Sequence, residues 1–173
     1  MTQSPVHVVD QQTDLWAEHR DRVYRYLLRL TGEADTAEDL TQETFLQAFR
    51  DLHRSAAAAA NTSAWLMRLA TNRAMDMYRR RRLIRWLPFL PDRHGGTAED
   101  TAEALARRDL VAAALRRLTP EAAAILLLRD AEGFTGPEIA AMLDLEHAAV
   151  RKRLSRAREA FRTEYLRLKG DAP

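Results

Sequence analysis

The chain has 173 residues, no cysteine and a formal net charge of +2, from 27 Lys and Arg against 25 Asp and Glu. The missing cysteines exclude disulfides and thiolate zinc sites, and the five scattered histidines lack metal-ligand spacing, so we expect no metal and no cofactor. The N-terminus lacks signal-peptide features and the longest uncharged apolar run, 122–128, is too short to cross a bilayer, so we expect a cytoplasmic protein without membrane insertion.

The composition predicts an all-α fold. Ala, Leu, Arg and Glu dominate, Gly and Pro occur six times each, and no run of alternating β-branched residues indicates a strand. Breaks in the helical pattern predict two small helical domains joined by a flexible linker. We expect an N-terminal extension over 1–14, a first domain over 15–85, the linker over 86–103 and a second domain over 104–169.

Three helices are predicted in the first domain. They cover Leu15–Leu30, Thr36–Leu52 and a stretch from about Asn61 to Arg82. Gly32 is a plausible C-terminal glycine for the first helix, and Thr36 with Asp39 forms a capping pattern for the second. The loop 51–63 contains the alanine run 56–60, whose high helix propensity allows it to extend either neighbouring helix.

The linker 86–103 contains prolines, a Gly-Gly pair and acidic residues. Its apolar start, 86–90, is expected to pack against the first domain; the alternative is a docking peptide. Two helices follow, over Thr101–Leu118 and Pro120–Ala131. Thr119 is the predicted cap of the second, with proline at its first helical position.

The last two predicted helices form a helix-turn-helix. Thr135 and Glu138 make a capping box, and 144–146 supplies the turn. The second helix, His147–Arg162, holds six Lys and Arg among its sixteen residues. Its apolar face is formed by Val150, Leu154, Ala157 and Phe161, at spacings of four, three and four. This pattern is typical of DNA-binding proteins; the alternative is an ordinary helical hairpin with a solvated arginine face.

Charge is segregated along the chain. Residues 33–43 contain five acids and no base, whereas 64–85 contains seven arginines against Asp76 alone. The segregation predicts one surface for a basic partner and another for phosphates.

The sequence contains no phosphate loop, nucleophile elbow or HExxH motif, so no catalytic residue is predicted. Asp39 and Glu43, four residues apart, could hold a metal together with Asp76. A small metal-dependent hydrolase is therefore one alternative function. Another is a stand-alone helix-turn-helix repressor or response-regulator output domain, which would bind operator DNA as a dimer without polymerase.

Several motifs, in order, resemble those of the extracytoplasmic-function (ECF) sigma factors of bacterial RNA polymerase, in the sigma-70 family. Residues 37–45 (AEDLTQETF) resemble family region 2.2, and 64–76 (AWLMRLATNRAMD) resemble regions 2.3 and 2.4. The pattern of region 4 is followed by 118–121, 126–130 and 150–158. The resemblance spans about Leu15 to Lys169 and implies that the two domains are sigma regions 2 and 4.

The resemblance implies a sigma factor that binds core RNA polymerase, directs it to specific promoters through −10 and −35 elements, and assists promoter melting. Asp39, Gln42 and Glu43 fall where the family contacts the clamp helices of the largest polymerase subunit, a basic surface that suits acidic residues. Asp39 has an alternative role as a helix cap. The flap of the second-largest subunit and an anti-sigma factor are further implied partners.

For the −10 element the resemblance implies contacts from Trp65, Arg68, Asn72, Asp76 and Arg79, although Trp65 could equally be a core residue. The loop 51–63 would capture a flipped base, but its alanines replace the usual polar and aromatic residues, which leaves the selected base open. For the −35 element the implied contacts are Arg151, Lys152, Ser155 and Arg156. Asp144 replaces a common glycine in the turn, and Asp tolerates left-handed geometry.

Overall fold

The structure is a computed structural model that describes residues 5–52, 61–83 and 102–170. Its helices are α1 (Pro5–Thr31), α2 (Ala34–Asp51), α3 (Thr62–Leu83), α4 (Ala102–Leu115), α5 (Pro120–Leu126), α6 (Gly136–Leu143) and α7 (His147–Lys169). A π-helical turn, Leu127–Ala131, continues α5. No strand occurs in these ranges, and the all-α prediction is confirmed. The alanine run 56–60 and most of the predicted linker, including its apolar start, lie outside the described residues.

Helix α1 begins at Pro5, earlier than the predicted start at Leu15. Proline suits a first helical position because its missing N–H would have no helical partner there. The helix ends as predicted, with Gly32 in the left-handed region at φ 74°. The predicted start at Leu15 therefore missed the first ten residues of α1.

Helices α1, α2 and α3 pack around a shared core. Its largest fully buried side chains include Tyr26, Leu27, Phe45, Leu66 and Met67. The Tyr26 hydroxyl lies 2.8 Å from the Thr71 hydroxyl, and burial raises the pKa of Tyr26. Buried threonines also satisfy their hydroxyls locally: Thr31, Thr41, Thr44 and Thr71 each donate to the carbonyl four residues earlier. The core therefore accommodates its polar groups without leaving them unpaired.

The predicted capping pattern of α2 is wrong. The N-cap is Glu33, and the helix begins at Ala34. Thr36 donates its hydroxyl to Glu33 Oε2 at 2.5 Å, and Arg81 at the end of α3 donates to the same carboxylate at 3.1 Å. This contact between helices fixes the start of α2 and leaves Asp39 inside the helix, where it caps nothing.

The last four helices form a second packed group in which α7 contacts α4, α5 and α6. Two predicted caps are confirmed: Thr119 accepts from the Ala122 N–H with Pro120 at the first position, and Thr135 with Glu138 forms the complete capping box. Helix α4 ends at Leu115 rather than Leu118, and α7 runs past Arg162 to Lys169.

The two groups of helices also pack on each other. Helix α6 contacts α3, and α1 contacts α4, α5 and the π-helical turn. Their buried side chains belong to one hydrophobic cluster. The boundaries of the two predicted domains stay a prediction, but the described part of the chain is one closed arrangement.

Candidate polymerase and nucleic-acid interfaces

Helix α2 presents an acidic face. Asp39, Gln42 and Glu43 are all exposed and lie on the same side of the helix. The opposite side buries Ala37, Leu40, Thr41, Thr44, Phe45 and Ala48 against α1 and α3. The structure therefore brings the three residues predicted to bind polymerase onto one accessible surface.

Leu46 continues this face and was missed by the sequence analysis. It lies three residues after Glu43 and four after Gln42, and it is 54% exposed. Among the described residues it is the large hydrophobic side chain that solvent reaches most. Exposed single leucines are common, but this one sits within a charged surface predicted to bind protein. Its spacing from Gln42 was the signal available in the sequence.

Two contacts hold the acidic face in place. Arg20 of α1 donates to both oxygens of Glu38, at 3.1 and 2.8 Å, and its guanidinium lies over the rings of Trp16 and Tyr24 at 5.7 and 5.6 Å. The hydrogen bond with Glu38 raises the pKa of Arg20. On the other side, Arg73 of α3 donates to Gln47 Oε1 at 3.1 Å. Both α1 and α3 thus position α2.

Helix α3 carries the residues predicted to contact the −10 element. Arg68, Asn72 and Arg79 are exposed and Asp76 is half-buried, and spacings of four, four and three place all of them on one face. Arg79 is ion-paired with Asp76. Trp65 is 7% exposed and belongs to the hydrophobic cluster. The structure thus groups four of the five residues and places Trp65 in the core, as the alternative interpretation held.

Helix α7 exposes the residues predicted to contact the −35 element: Arg151, Lys152, Ser155 and Arg156. Arg153 is exposed as well and was not predicted. Val150 and Ala157 are buried on the opposite side, with Leu154 and Phe161 half-buried. The predicted division of α7 into an apolar and a basic face is therefore present.

The turn and a bidentate ion pair orient α7. Asp144 adopts the left-handed conformation at φ 53°, as its residue type allows. Arg158 donates to both oxygens of Asp130 at 3.1 and 2.5 Å, which raises the pKa of Arg158. Arg158 therefore fixes α7 on the π-helical turn, whereas its neighbour Arg156 points to solvent.

A metal-dependent function gains no support from the described residues. Asp39, Glu43 and Asp76 do not form a cluster there, and no other group of three His, Asp or Glu side chains within 5–52, 61–83 and 102–170 could hold a metal ion. In those ranges no helix is long and apolar enough to span a bilayer.

Both halves of the chain match known protein families. Residues 15–84 match sigma-70 region 2, and residues 108–161 match sigma-70 region 4. The chain is 39% identical over 158 residues to the ECF RNA polymerase sigma factor SigE of Mycolicibacterium smegmatis, with 88% of this chain and 60% of SigE covered. It is 34% identical over 151 residues to SigL of Mycobacterium tuberculosis, with 86% and 85% covered.

Two solved structures share the arrangement of helices. CnrH, solved with the cytosolic domain of CnrY, is 27% identical with a TM-score of 0.65, covering 93% of this chain and 89% of CnrH. The sigma factor RpoE of Bartonella quintana, solved with the anti-sigma factor NepR, has a TM-score of 0.73 at 21% identity, covering 90% and 96%, and shows the common fold. With both sigma regions matched in order and SigL aligned over most of its length, the chain belongs to the ECF sigma factors of the sigma-70 family.

Proposed function

We propose that this chain binds core RNA polymerase through α2, directs it to specific promoters through α3 and α7, and assists promoter melting. The observation that carries the proposal is the separation of an acidic exposed face on α2 from basic exposed faces on α3 and α7. This combination suits a protein that binds both a basic protein partner and a nucleic acid. The chain spans 60% of the length of SigE.

The acidic face of α2 suits the clamp helices of the largest polymerase subunit, the partner that the family resemblance implies. Asp39, Gln42 and Glu43 supply charge and hydrogen bonds, which favour rapid and correctly oriented docking. Leu46 supplies apolar area within the same surface. The region 4 helices would contact the flap of the second-largest subunit.

The promoter contacts divide between two helices. On α3, Arg68, Asn72 and Arg79 would meet the melted −10 strand. Unstacking a base costs a few kcal/mol, and binding of the captured base returns about 1–3 kcal/mol of that cost. On α7, Arg151, Lys152, Ser155 and Arg156 would enter the major groove of the −35 element. There an arginine can pair with guanine through two hydrogen bonds.

The proposed function of this chain is to bind core polymerase and promoter DNA. The polymerase performs nucleotidyl transfer, and this chain contributes no catalytic residue, metal or cofactor. It would act in the cytoplasm, where polymerase and chromosome are. An anti-sigma factor is a further proposed partner, as NepR is for the sigma factor RpoE.

Reconstitution with purified core polymerase tests the proposal. Transcription from a cognate promoter must require this protein. Glu43→Lys reverses a charge on the docking face and should reduce core affinity at least tenfold, whereas Glu18→Lys, at an exposed carboxylate on α1, is the matched control. Equal core affinity for the two variants would refute docking through α2, and promoter selectivity unchanged by the protein would refute the function.

A further inference from the structure

A half-enclosed cavity lies between α1 and α4. Residues between 25 and 32 of α1 line one wall, and residues between 104 and 116, in and just after α4, line the other. Its volume is about 770 Å³, within the range of about 300–1,000 Å³ that small-molecule sites occupy. The lining residues are not those proposed to contact polymerase or DNA. The cavity is therefore a candidate for a separate ligand site.

The floor of the cavity is apolar. Leu28 of α1 lines it together with Val111, Ala112 and Leu115 of α4. Leu28, Val111 and Ala112 are only half-buried although two helices meet here, so apolar area stays in contact with water. Along α4 the lining extends from Ala104 to Leu115, which is roughly 16 Å at about 1.5 Å per residue. An elongated apolar floor of this kind suits an unbranched alkyl chain.

Arginine side chains surround this apolar floor. Five exposed arginines line the cavity, against a single acid, Asp109; they are Arg25, Arg29, Arg107, Arg108 and Arg116. Two of the five pair with nearby glutamates. Within the parts of the chain that the structure describes, Arg25 and Arg116 have no ion-pair partner. The rim therefore carries positive charge that an anionic group could neutralise.

Gly32 shapes one end of the cavity. A Cβ atom at this position would lie 3.1 Å from Arg116 Cδ, closer than ordinary van der Waals contact. Gly32 also has φ 74°, which other residues rarely adopt. The glycine thus lets the stem of Arg116 lie against the end of α1, where the stem adds apolar wall and its guanidinium stays exposed.

We propose that this cavity binds an amphipathic carboxylate, an unbranched alkyl chain that ends in one carboxylate group. The chain lies on Leu28, Val111 and Leu115, and the carboxylate pairs with Arg25 and Arg116. A guanidinium matches a carboxylate because it can donate two parallel hydrogen bonds to it. A nucleotide fits less well, because the described lining offers no aromatic ring on which a base would stack. Binding requires neither polymerase nor DNA, so the site is independent of the proposed function.

Isothermal titration calorimetry of the full chain with octanoate, decanoate and dodecanoate, each below its micelle concentration, tests the site. We expect one molecule bound per chain. Affinity should rise at least tenfold from octanoate to dodecanoate, because each additional methylene is removed from water. Acetate and inorganic phosphate carry charge without a chain and should not bind measurably. Dodecanoate binding no tighter than acetate binding would overturn the proposal.

Variants of the lining locate the site. Arg25→Gln combined with Arg116→Gln removes both unpaired cations and should weaken dodecanoate binding at least tenfold. Arg117→Gln is the matched control, since Arg117 is exposed beside Arg116 but does not line the cavity. Ala112→Phe fills the space and should abolish binding; if it loses its helical circular dichroism, the arginine variants decide. Equal affinities for the double variant and Arg117→Gln would refute the site.

Two competitors distinguish other occupants of the cavity. ATP presents phosphates to the arginine rim, and a synthetic helical peptide with Leu on one face and Glu beside it presents a protein helix. We expect neither to displace dodecanoate at equal concentration, and tighter binding of either would overturn the proposal. Dodecanoate should also shift the methyl resonances of Leu28 and Val111. Shifts confined to other methyl groups would contradict the assigned location.

Discussion

At the scale of single residues, Leu46 shows how an interface residue differs from a core residue. Its neighbours Phe45 and Ala48 are fully buried, yet Leu46 faces solvent beside Gln42 and Glu43. Apolar side chains contribute most to binding when a partner removes them completely from water. Leu46 is therefore the expected apolar anchor of the α2 docking face.

Leu46→Ser should weaken core polymerase binding about tenfold, or about 1.4 kcal/mol, because it removes the buried apolar area but none of the charges. Thermal stability should be unchanged, since the side chain is exposed in the free protein. Fluorescence anisotropy with purified core measures the affinity. Leu46→Met, which keeps an apolar side chain of similar size, is the control. Parent-like binding by Leu46→Ser would contradict the anchor role.

At the scale of elements, the start of α6 depends on a local exchange of hydrogen bonds. Glu138 Oε2 accepts from the Thr135 backbone N–H and from its hydroxyl, both at 2.7 Å. In return the Thr135 hydroxyl accepts from the Glu138 N–H at 3.4 Å. The bonds from Thr135 hold the pKa of Glu138 below its ordinary value. The capping box thus couples the first helix of the helix-turn-helix to pH.

Because its pKa is lower in the folded protein, Glu138 stabilises the fold above its unfolded pKa, and this contribution is lost as pH falls through the folded value. Glu138→Gln should cost about 0.3–1 kcal/mol at neutral pH, and the difference from the parent should shrink as pH falls below about 4. Urea unfolding at several pH values measures it, with exposed Glu159→Gln on α7 as control. A difference that stays constant on acidification would contradict the assignment.

The capping box was predictable because its chemistry is local. Thr135, Glu138 and the left-handed Asp144 depend on residues within a few positions of each other, and the sequence analysis identified all of them. The start of α2 was not predictable in this way. Glu33 is held by Arg81, 48 residues away, and sequence spacing contains no record of that contact.

In the candidate interfaces, too, local features were predictable from the sequence and long-range contacts were not. Helical periodicity predicted that Arg68, Asn72 and Arg79 share one side of α3 and that Val150 and Ala157 are buried beneath the basic face of α7. Periodicity placed Arg156 on the basic face, but it did not predict that Arg158 pairs with Asp130, 28 residues earlier in the chain. Nor did it predict the ion pairs of Glu132 with Arg22 and Arg29, which lie 110 and 103 residues earlier in the chain.

At the scale of the whole molecule, the closed arrangement and the charge distribution act together. The formal net charge is only +2, so the basic face of α7 provides local rather than overall attraction for DNA. Helix α6 packs against both α3 and α7, so the two faces predicted to contact DNA belong to neighbouring helices in this arrangement. Promoter specificity should therefore develop mainly in the complex with polymerase, where both faces act at once.

Titration with salt tests this difference between the free protein and the holoenzyme. The free protein should bind promoter duplex weakly, with an affinity that falls steeply between about 50 and 200 mM salt, because phosphate contacts dominate single-face binding. Lys152→Ala should reduce the slope of log affinity against log salt by about one, since it removes one phosphate contact. The holoenzyme should keep its preference for promoter over random duplex across the same range. Tight, sequence-specific binding by the free protein at physiological salt would contradict this prediction.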